Sequence, residues 1–188
     1  ERIEVTVIER PQTAAPVITS TVYEGTRYMN GTLEDWGNQI KVYTLDGTLI
    51  TNNPGNLGHA FEIYLNYDTP LVTGQQIMVY AQADNKTISE PTYVTVAAPS
   101  IVTDTPMITD AVYDYSGAIR GLAIEDSIIV VTRSDGTVIG EGLARGTYGG
   151  FTINTSSPLI VGETLYITAT GPGYLISNAA SVIVRGRP

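Results

Sequence analysis

The chain holds one histidine, His59, in the segment NLGHAF. Any Ser–His–Asp chemistry would have to run through it, because the imidazole takes the nucleophile's proton. Two pairs of adjacent acids, Glu34–Asp35 and Glu125–Asp126, carry the residue type of a glycoside hydrolase, where two carboxyl groups flank the scissile bond. Neighbours in sequence within polar connections, they read instead as solvated turn residues. Cysteine is absent, which excludes thiolate catalysis and Cys-ligated metals, and a single histidine leaves zinc too few ligands. Calcium takes about six to eight oxygens. Asp104 and Asp110, with Glu24 or Asp114 as further candidates, are too sparse for that around the segment APSIVTDTPMITD, which reads instead as a semi-rigid Pro-containing linker. No glycine-rich loop follows a strand and opens a helix to cradle phosphate. No enzyme, metal or cofactor is expected.

Asp-Gly-Thr occurs twice, at 46–48 and at 135–137. A lone carboxylate per occurrence is not a cation site. Between two apolar segments, Asp-Gly is the strongest short-range hairpin signal, and the expectation is a type I′ turn with positive φ at both central residues. The twice-used turn exposes a repeat. Pro16-Val-Ile-Thr-Ser-Thr-Val-Tyr23 aligns with Pro106-Met-Ile-Thr-Asp-Ala-Val-Tyr113, Gly31 with Gly121, and Phe61-x-Ile63 with Phe151-x-Ile153. Pro70 to Gly74 aligns with Pro158 to Gly162, and Val94-Thr-Val96 with Val182-Ile-Val184. A unit of roughly 90 residues is a domain rather than a solenoid repeat. The expected division is 11–98 and 99–188. Residues 1–10 resemble the closing stretch 182–188, so they read as the end of a preceding repeat or a linker strand, and the parent protein is expected to carry more copies.

Bulk properties bound the function classes. Of 188 residues, 43% are hydrophobic and 15% charged, enough apolar material for folded cores. The net charge of −9 repels phosphate backbones and anionic lipid surfaces, so neither nucleic acid nor a membrane surface is an expected partner. No apolar run approaches the roughly 18 residues of a membrane helix.

The elements that must carry these residues are strands. Ile77, Val79, Ala81 and Ala83 alternate with Met78, Tyr80 and Gln82, and Leu165, Ile167 and Ala169 alternate with Tyr166, Thr168 and Thr170. That is the period-two pattern of sheets buried on one face. The expectation is an all-β chain of two tandem β-sandwiches, about seven strands each, with domain 1 strands near 17–22, 26–33, 39–45, 48–52, 60–66, 75–83 and 91–97.

Each copy opens P-x-I-T-x-x-V-Y, carries a D-G-T-x-I turn, and closes P-L-x-x-G followed by alternating apolar positions. This resembles the bacterial immunoglobulin-like domains found in tandem in surface and secreted proteins of Gram-positive bacteria, over nearly the whole chain. The resemblance implies structural spacer repeats in an extracellular, secreted or wall-anchored protein, presenting an adhesive or otherwise functional region. Neighbouring repeats are the implied partners, with a host or cell-wall glycan or protein as a further one. Related surface proteins carry Lys–Asn isopeptide bonds. Here the lysines are Lys41 and Lys86, both in domain 1, so domain 2 cannot form the bond, and it is not expected in domain 1, where Lys41 alternates outward. The sequons at Asn30, Asn85 and Asn154 read as chance in a Thr-rich chain.

Within an immunoglobulin-like strand order, the segments around Ile40, Val79 and Val94 lie side by side. If those residues face the core, then Lys41, Tyr43, Met78, Tyr80 and Tyr93 face outward together. Domain 2 has Val130, Thr132, Tyr166, Thr168 and Ser181 there. An aromatic face private to domain 1 suits a glycan or a protein partner. The lone Trp36, in EDWGN, is either a cap over one end of the core or an exposed ligand contact, and the cap is expected because tryptophan is highly buried on average.

Overall fold

The computed structural model describes residues 8–65 and 69–187. Most of the expected preceding strand, residues 1–7, lies outside the described residues. Two compact units divide the chain, Glu1–Ala98 and Pro99–Pro188. The first contains β1 (Val17–Ile18), β2 (Tyr28–Thr32), β3 (Asn38–Thr44), β4 (Leu49–Leu57), β5 (Ala60–Tyr64), β6 (Gln76–Gln82) and β7 (Thr92–Thr95). The second repeats the series as β8 (Met107–Ile108), β9 (Ala118–Leu122), β10 (Ile128–Arg133), β11 (Val138–Leu143), β12 (Gly150–Asn154), β13 (Thr164–Thr170) and β14 (Ala180–Ile183).

In each unit a three-stranded sheet faces a four-stranded one. The orders are β1-β2-β5 with β4-β3-β6-β7, and β12-β9-β8 with β11-β10-β13-β14. Every strand pair is antiparallel. The fourth strand pairs with the third and so belongs to the larger sheet. These are immunoglobulin-like sandwiches, all-β as the alternation required.

Alternation decides what is buried. Along β3 the even positions Asn38, Ile40, Val42 and Thr44 are buried while Gln39, Lys41 and Tyr43 are half-buried. Ile40, Val42, Ile77 and Val79 from the large sheet meet Met29, Phe61 and Ile63 from the small one in a single core. Domain 2 builds the same core from Ile129, Val131, Leu165 and Ile167 against Ile119, Phe151 and Ile153. Burying each such side chain contributes about 1.5–3 kcal/mol.

The chain's two phenylalanines occupy equivalent places, each over a glycine. A Cβ on Gly31 would meet the Val17 carbonyl oxygen at 2.5 Å and Phe61 Cε1 at 2.6 Å. Gly121 stands in the same relation to Met107 and Phe151. Small side chains stitch each sandwich closed. Thr13 Oγ1 donates to the Thr87 carbonyl (2.7 Å) and accepts from the Ala83 N–H (3.0 Å). Thr103 does the same with Leu175 (2.6 Å) and Gly171 (2.9 Å). Ser89 and Ser177 likewise accept from Ala81 and Ala169. Thr103, 2% exposed, therefore belongs to the body of domain 2, where the sequence suggests a Pro-containing linker.

Two local expectations are corrected. First, β1 is shorter than the expected 17–22. The Asn30 carbonyl accepts from both Thr19 (2.9 Å) and Ser20 (3.3 Å), and Ser20 Oγ accepts the Asn30 N–H (2.9 Å), so a side chain replaces the ladder. Second, the Asp-Gly turns are not type I′. Gly47 (φ 89°) and Gly136 (φ 85°) are left-handed, but neither Asp46 nor Asp135 has positive φ. Gly47 N–H bonds the Thr44 carbonyl (3.0 Å) and Thr44 N–H the Thr48 carbonyl (2.9 Å), and Gly136 and Arg133 repeat the pattern. This is a three-residue loop whose glycine forms a bulge. The ladder shifts register just before it, between Val42 and Tyr43 and between Val131 and Thr132. Asp46 accepts from the Thr44 hydroxyl and the Thr48 N–H, which hold its carboxyl below the usual range. Asp135 is lowered in turn, chiefly by the Thr137 N–H.

Candidate functional site

Strands β3, β6 and β7 lie side by side, as the outward-face expectation requires. Lys41 pairs with Tyr80, Tyr43 with Met78, and Met78 with Tyr93. All five residues share the outer face of the large sheet. Lys41, Tyr43, Met78 and Tyr80 are half-buried and Tyr93 is exposed. Tyr43 and Tyr80 meet edge to face, with centroids 5.9 Å apart and planes at 79°. The Tyr80 hydroxyl donates to Met78 Sδ (3.5 Å). The rings thus pack on one another, and Tyr93 offers the most free area. The corresponding face of domain 2 pairs Val130 with Thr168, Thr132 with Tyr166, and Tyr166 with Ser181. One aromatic stands there in place of three. An open groove of about 610 Å³ continues past Tyr93, between β7 and β1 along Pro16 and Val17.

A second cluster forms at one end of domain 1, where the connections 33–37, 58–59 and 83–89 converge. Trp36 is 69% exposed, so the core-cap expectation is wrong. The indole lies beside Gly58, whose added Cβ would sit 3.6 Å from Trp36 Cζ3. The His59 ring stands edge-on to it, centroids 5.0 Å apart at 79°. His59 is exposed, and its Nδ1–H donates to the Leu33 carbonyl (3.0 Å). Leu33 N–H in turn bonds the His59 carbonyl (2.8 Å). Asp35 Oδ1 pairs with Lys86 Nζ at 2.6 Å. The Lys86 ammonium is the main reason the Asp35 carboxyl stays below the ordinary range. Asn38 Nδ2 donates to the Asp35 carbonyl, and Gly37 (φ 72°) closes the turn.

Domain 2 builds the same end with other side chains. Its Ala123 N–H bonds the Gly149 carbonyl (3.0 Å), as Leu33 bonds His59. Tyr174 N–H bonds the Gly171 carbonyl (3.0 Å), as Lys86 bonds Ala83 (3.2 Å). Asp126, with φ 63°, makes the left-handed turn that Gly37 makes in domain 1. Trp36, His59 and Lys86 are therefore private to domain 1. The missed signal was the contrast between copies: no aromatic stands in the connection 123–126 of domain 2, whose end carries Tyr148 and Tyr174 on the neighbouring connections.

The remaining chemical candidates stay apart. Glu34 and Glu125 are exposed on their turns, and Asp35 is tied to Lys86. Glu24 accepts from Thr73 through N–H (3.2 Å) and hydroxyl (2.7 Å), the cause of its lowered carboxyl. Asp110 lies 3.7 Å from Arg120, and Asp104 is exposed. Among the described residues no group of three His, Cys, Asp or Glu could hold a metal ion. Among the described residues no helix is long and apolar enough to cross a membrane.

No family model matches the chain, and no curated protein matches it. Solved structures do. A biofilm-associated protein's BSP domain is 20% identical with a TM-score of 0.41, over 95% of this chain and 30% of that one. The fibronectin(III)-like modules of Clostridium thermocellum CbhA are 18% identical with a TM-score of 0.34, over 91% and 94%. The FN1–FN3 domains of chicken CNTN1 are 11% identical with a TM-score of 0.35, over 94% and 69%. The chain thus spans less than a third of the biofilm-associated protein's structure. The fold assignment rests on the strand order and the cores described above.

Proposed function

We propose that the two domains form a non-catalytic structural module of a bacterial surface or secreted protein, immunoglobulin-like repeats that hold an adhesive or otherwise functional region at a distance. One observation carries this reading: what the two copies share is architecture. The shared residues are core positions, the Gly31–Phe61 and Gly121–Phe151 packings, the Thr13 and Thr103 clamps, and the glycine-closed turns. A repeated unit that keeps its skeleton and varies its surface suits reach and stiffness. The resemblance of the opening and closing motifs to tandem bacterial domains supports an extracellular site, secreted or wall-anchored. The test is replacement in the parent protein. An unrelated immunoglobulin-like pair of equal length should restore display and activity of the attached region, while deletion of the pair should not. Loss of function with the matched replacement would reject the spacer role.

A second reading has its own support. Lys41, Tyr43, Met78, Tyr80 and Tyr93 share one face of domain 1 that domain 2 does not reproduce. On this reading the face binds a glycan or protein of the host or cell wall. A glycan array and pull-down with the native chain and a Tyr43→Ser/Tyr80→Ser/Tyr93→Ser variant test it. Binding lost in the variant supports the reading, and no binding by either chain rejects it.

A further inference from the structure

We propose that the end of domain 1 around Trp36 is a docking point for a cationic segment, a Lys or Arg side chain of a basic partner peptide. The indole is exposed yet fixed. Its neighbour Asp35 is held through its carboxylate by Lys86 and through its carbonyl by Asn38. The ring lies beside Gly58, and His59 stands against it, itself tied to Leu33. A ring held in place loses little freedom on binding, which keeps the cost of association low.

The fold does not need this tryptophan. Domain 2 closes the same connection with Asp126 and sets Gly149 where domain 1 has His59. Domain 2 has no aromatic in the connection 123–126, its exposed Tyr148 and Tyr174 standing on neighbouring connections, so the fold closes this turn without an indole.

Charge selects the occupant. Glu34 adjoins Asp35, and the Asp84 carboxylate lies over Gly37, with Oδ2 3.3 Å from where a Cβ would stand. Neither acid has an ion-pair partner among the described residues. The local cation, Lys86, is already matched by Asp35. Glu34 thus stands two residues before Trp36, and Asp84 lies over the glycine that follows it. A cation over tryptophan gains electrostatically from the ring face, and flanking carboxylates add to that gain. The chain's net charge of −9 would steer such a partner inward. A neutral sugar could stack on the ring and donate its hydroxyls to these carboxylates, but it would leave their charge uncompensated.

Trp36, the only tryptophan, is its own reporter. The full chain is titrated with a short Arg-containing peptide, with its Gln and Glu counterparts, and with a neutral oligosaccharide. Indole emission and the indole N–H resonance are followed. The expected result is saturable binding of the Arg peptide alone, weakened as salt shortens the screening length toward about 8 Å. Trp36→Ala, read by calorimetry, and Glu34→Gln/Asp84→Asn, read by emission, should each lose about tenfold in affinity. Their unfolding midpoints should match the native chain. Equal binding by the Gln peptide or the sugar would overturn the proposal. So would unchanged affinity in either variant, or the absence of saturable binding.

Discussion

Replacing Gly31 with alanine sets a gain in strand propensity against a collision. The gain is small: glycine within a strand costs about 0.5–1 kcal/mol relative to alanine. The collision involves two neighbours at once, the Val17 carbonyl at 2.5 Å and the Phe61 ring at 2.6 Å. Phe61 is 5% exposed and sits in the core, so its ring has nowhere to turn. Val17 lies on β1, which pairs with β2 through only two residues and can give ground. Overpacking of this kind costs about 1–3 kcal/mol. With no relief for the ring, the upper part of that range applies, leaving a net loss of about 1.5–2.5 kcal/mol. In a domain of this size each kcal/mol moves the midpoint by about 4–8 °C, so unfolding should begin roughly 6–20 °C lower. Urea and thermal unfolding, read by Trp36 emission and circular dichroism, measure this. Gly58→Ala is the control. Its Cβ would meet Trp36 at 3.6 Å, an ordinary contact, and should change stability by less than about 0.5 kcal/mol. A Gly31→Ala chain as stable as the native one would refute the packing argument. A Phe61→Leu change added to Gly31→Ala should recover part of the loss, through a coupling of about 1 kcal/mol between touching sites.

Other perturbations follow from the same contacts. Thr103→Val keeps the shape but strands the Gly171 N–H, buried at the turn, and should cost domain 2 about 1–3 kcal/mol in urea unfolding. Thr13→Val should do the same in domain 1 through Ala83. Arg133 pairs with Glu163 and also donates to Ser157 (3.1 Å) and the Pro158 carbonyl (2.8 Å), with the two charged side chains 18% and 15% exposed. Arg133→Ala should destabilise domain 2 by about 1–3 kcal/mol, and a loss under about 0.5 kcal/mol would show the pair to be ornamental. Asp46 and Asp135 have folded-state values below their unfolded ones. Their stabilising share is therefore complete above about pH 3.9, and is lost as pH falls through the lower folded values. Asp46→Asn/Asp135→Asn should flatten the acid limb of a stability-against-pH curve, and an unchanged limb would contradict the turn assignment.

Strand alternation was legible because one buried face imposes a period of two, and a slip of one residue would expose the whole core set. The same logic placed Lys41, Tyr43, Met78, Tyr80 and Tyr93 together: once Ile40, Val79 and Val94 face inward, their neighbours have one direction left. The turn type was not legible, because Asp-Gly serves both a two-residue loop and a three-residue loop closed by a bulge. The choice is made by where the ladder resumes, here at Thr44 and Thr48. The Thr13 and Thr103 clamps were visible as matched threonines 90 positions apart, but an isolated hydroxyl carries no periodic signal, and the surrounding prolines read as a linker.

Trp36 shows where average burial misleads. Tryptophan is buried when a core offers a slot for it, and the end of this sandwich is already closed by Leu33 and Ala83 in domain 1, as by Ala144 in domain 2. With no slot left, the ring lies outside, against Gly58 and His59. The twin domain makes the decisive comparison. Residues that both copies keep answer to the shared fold, whereas residues that only one copy carries are free of that demand. Domain 1 departs from its twin in two separate places, the tyrosine face of β3, β6 and β7 and the Trp36 end. Each can be altered without touching the core that both copies hold in common, so whether either binds a partner can be tested independently of stability.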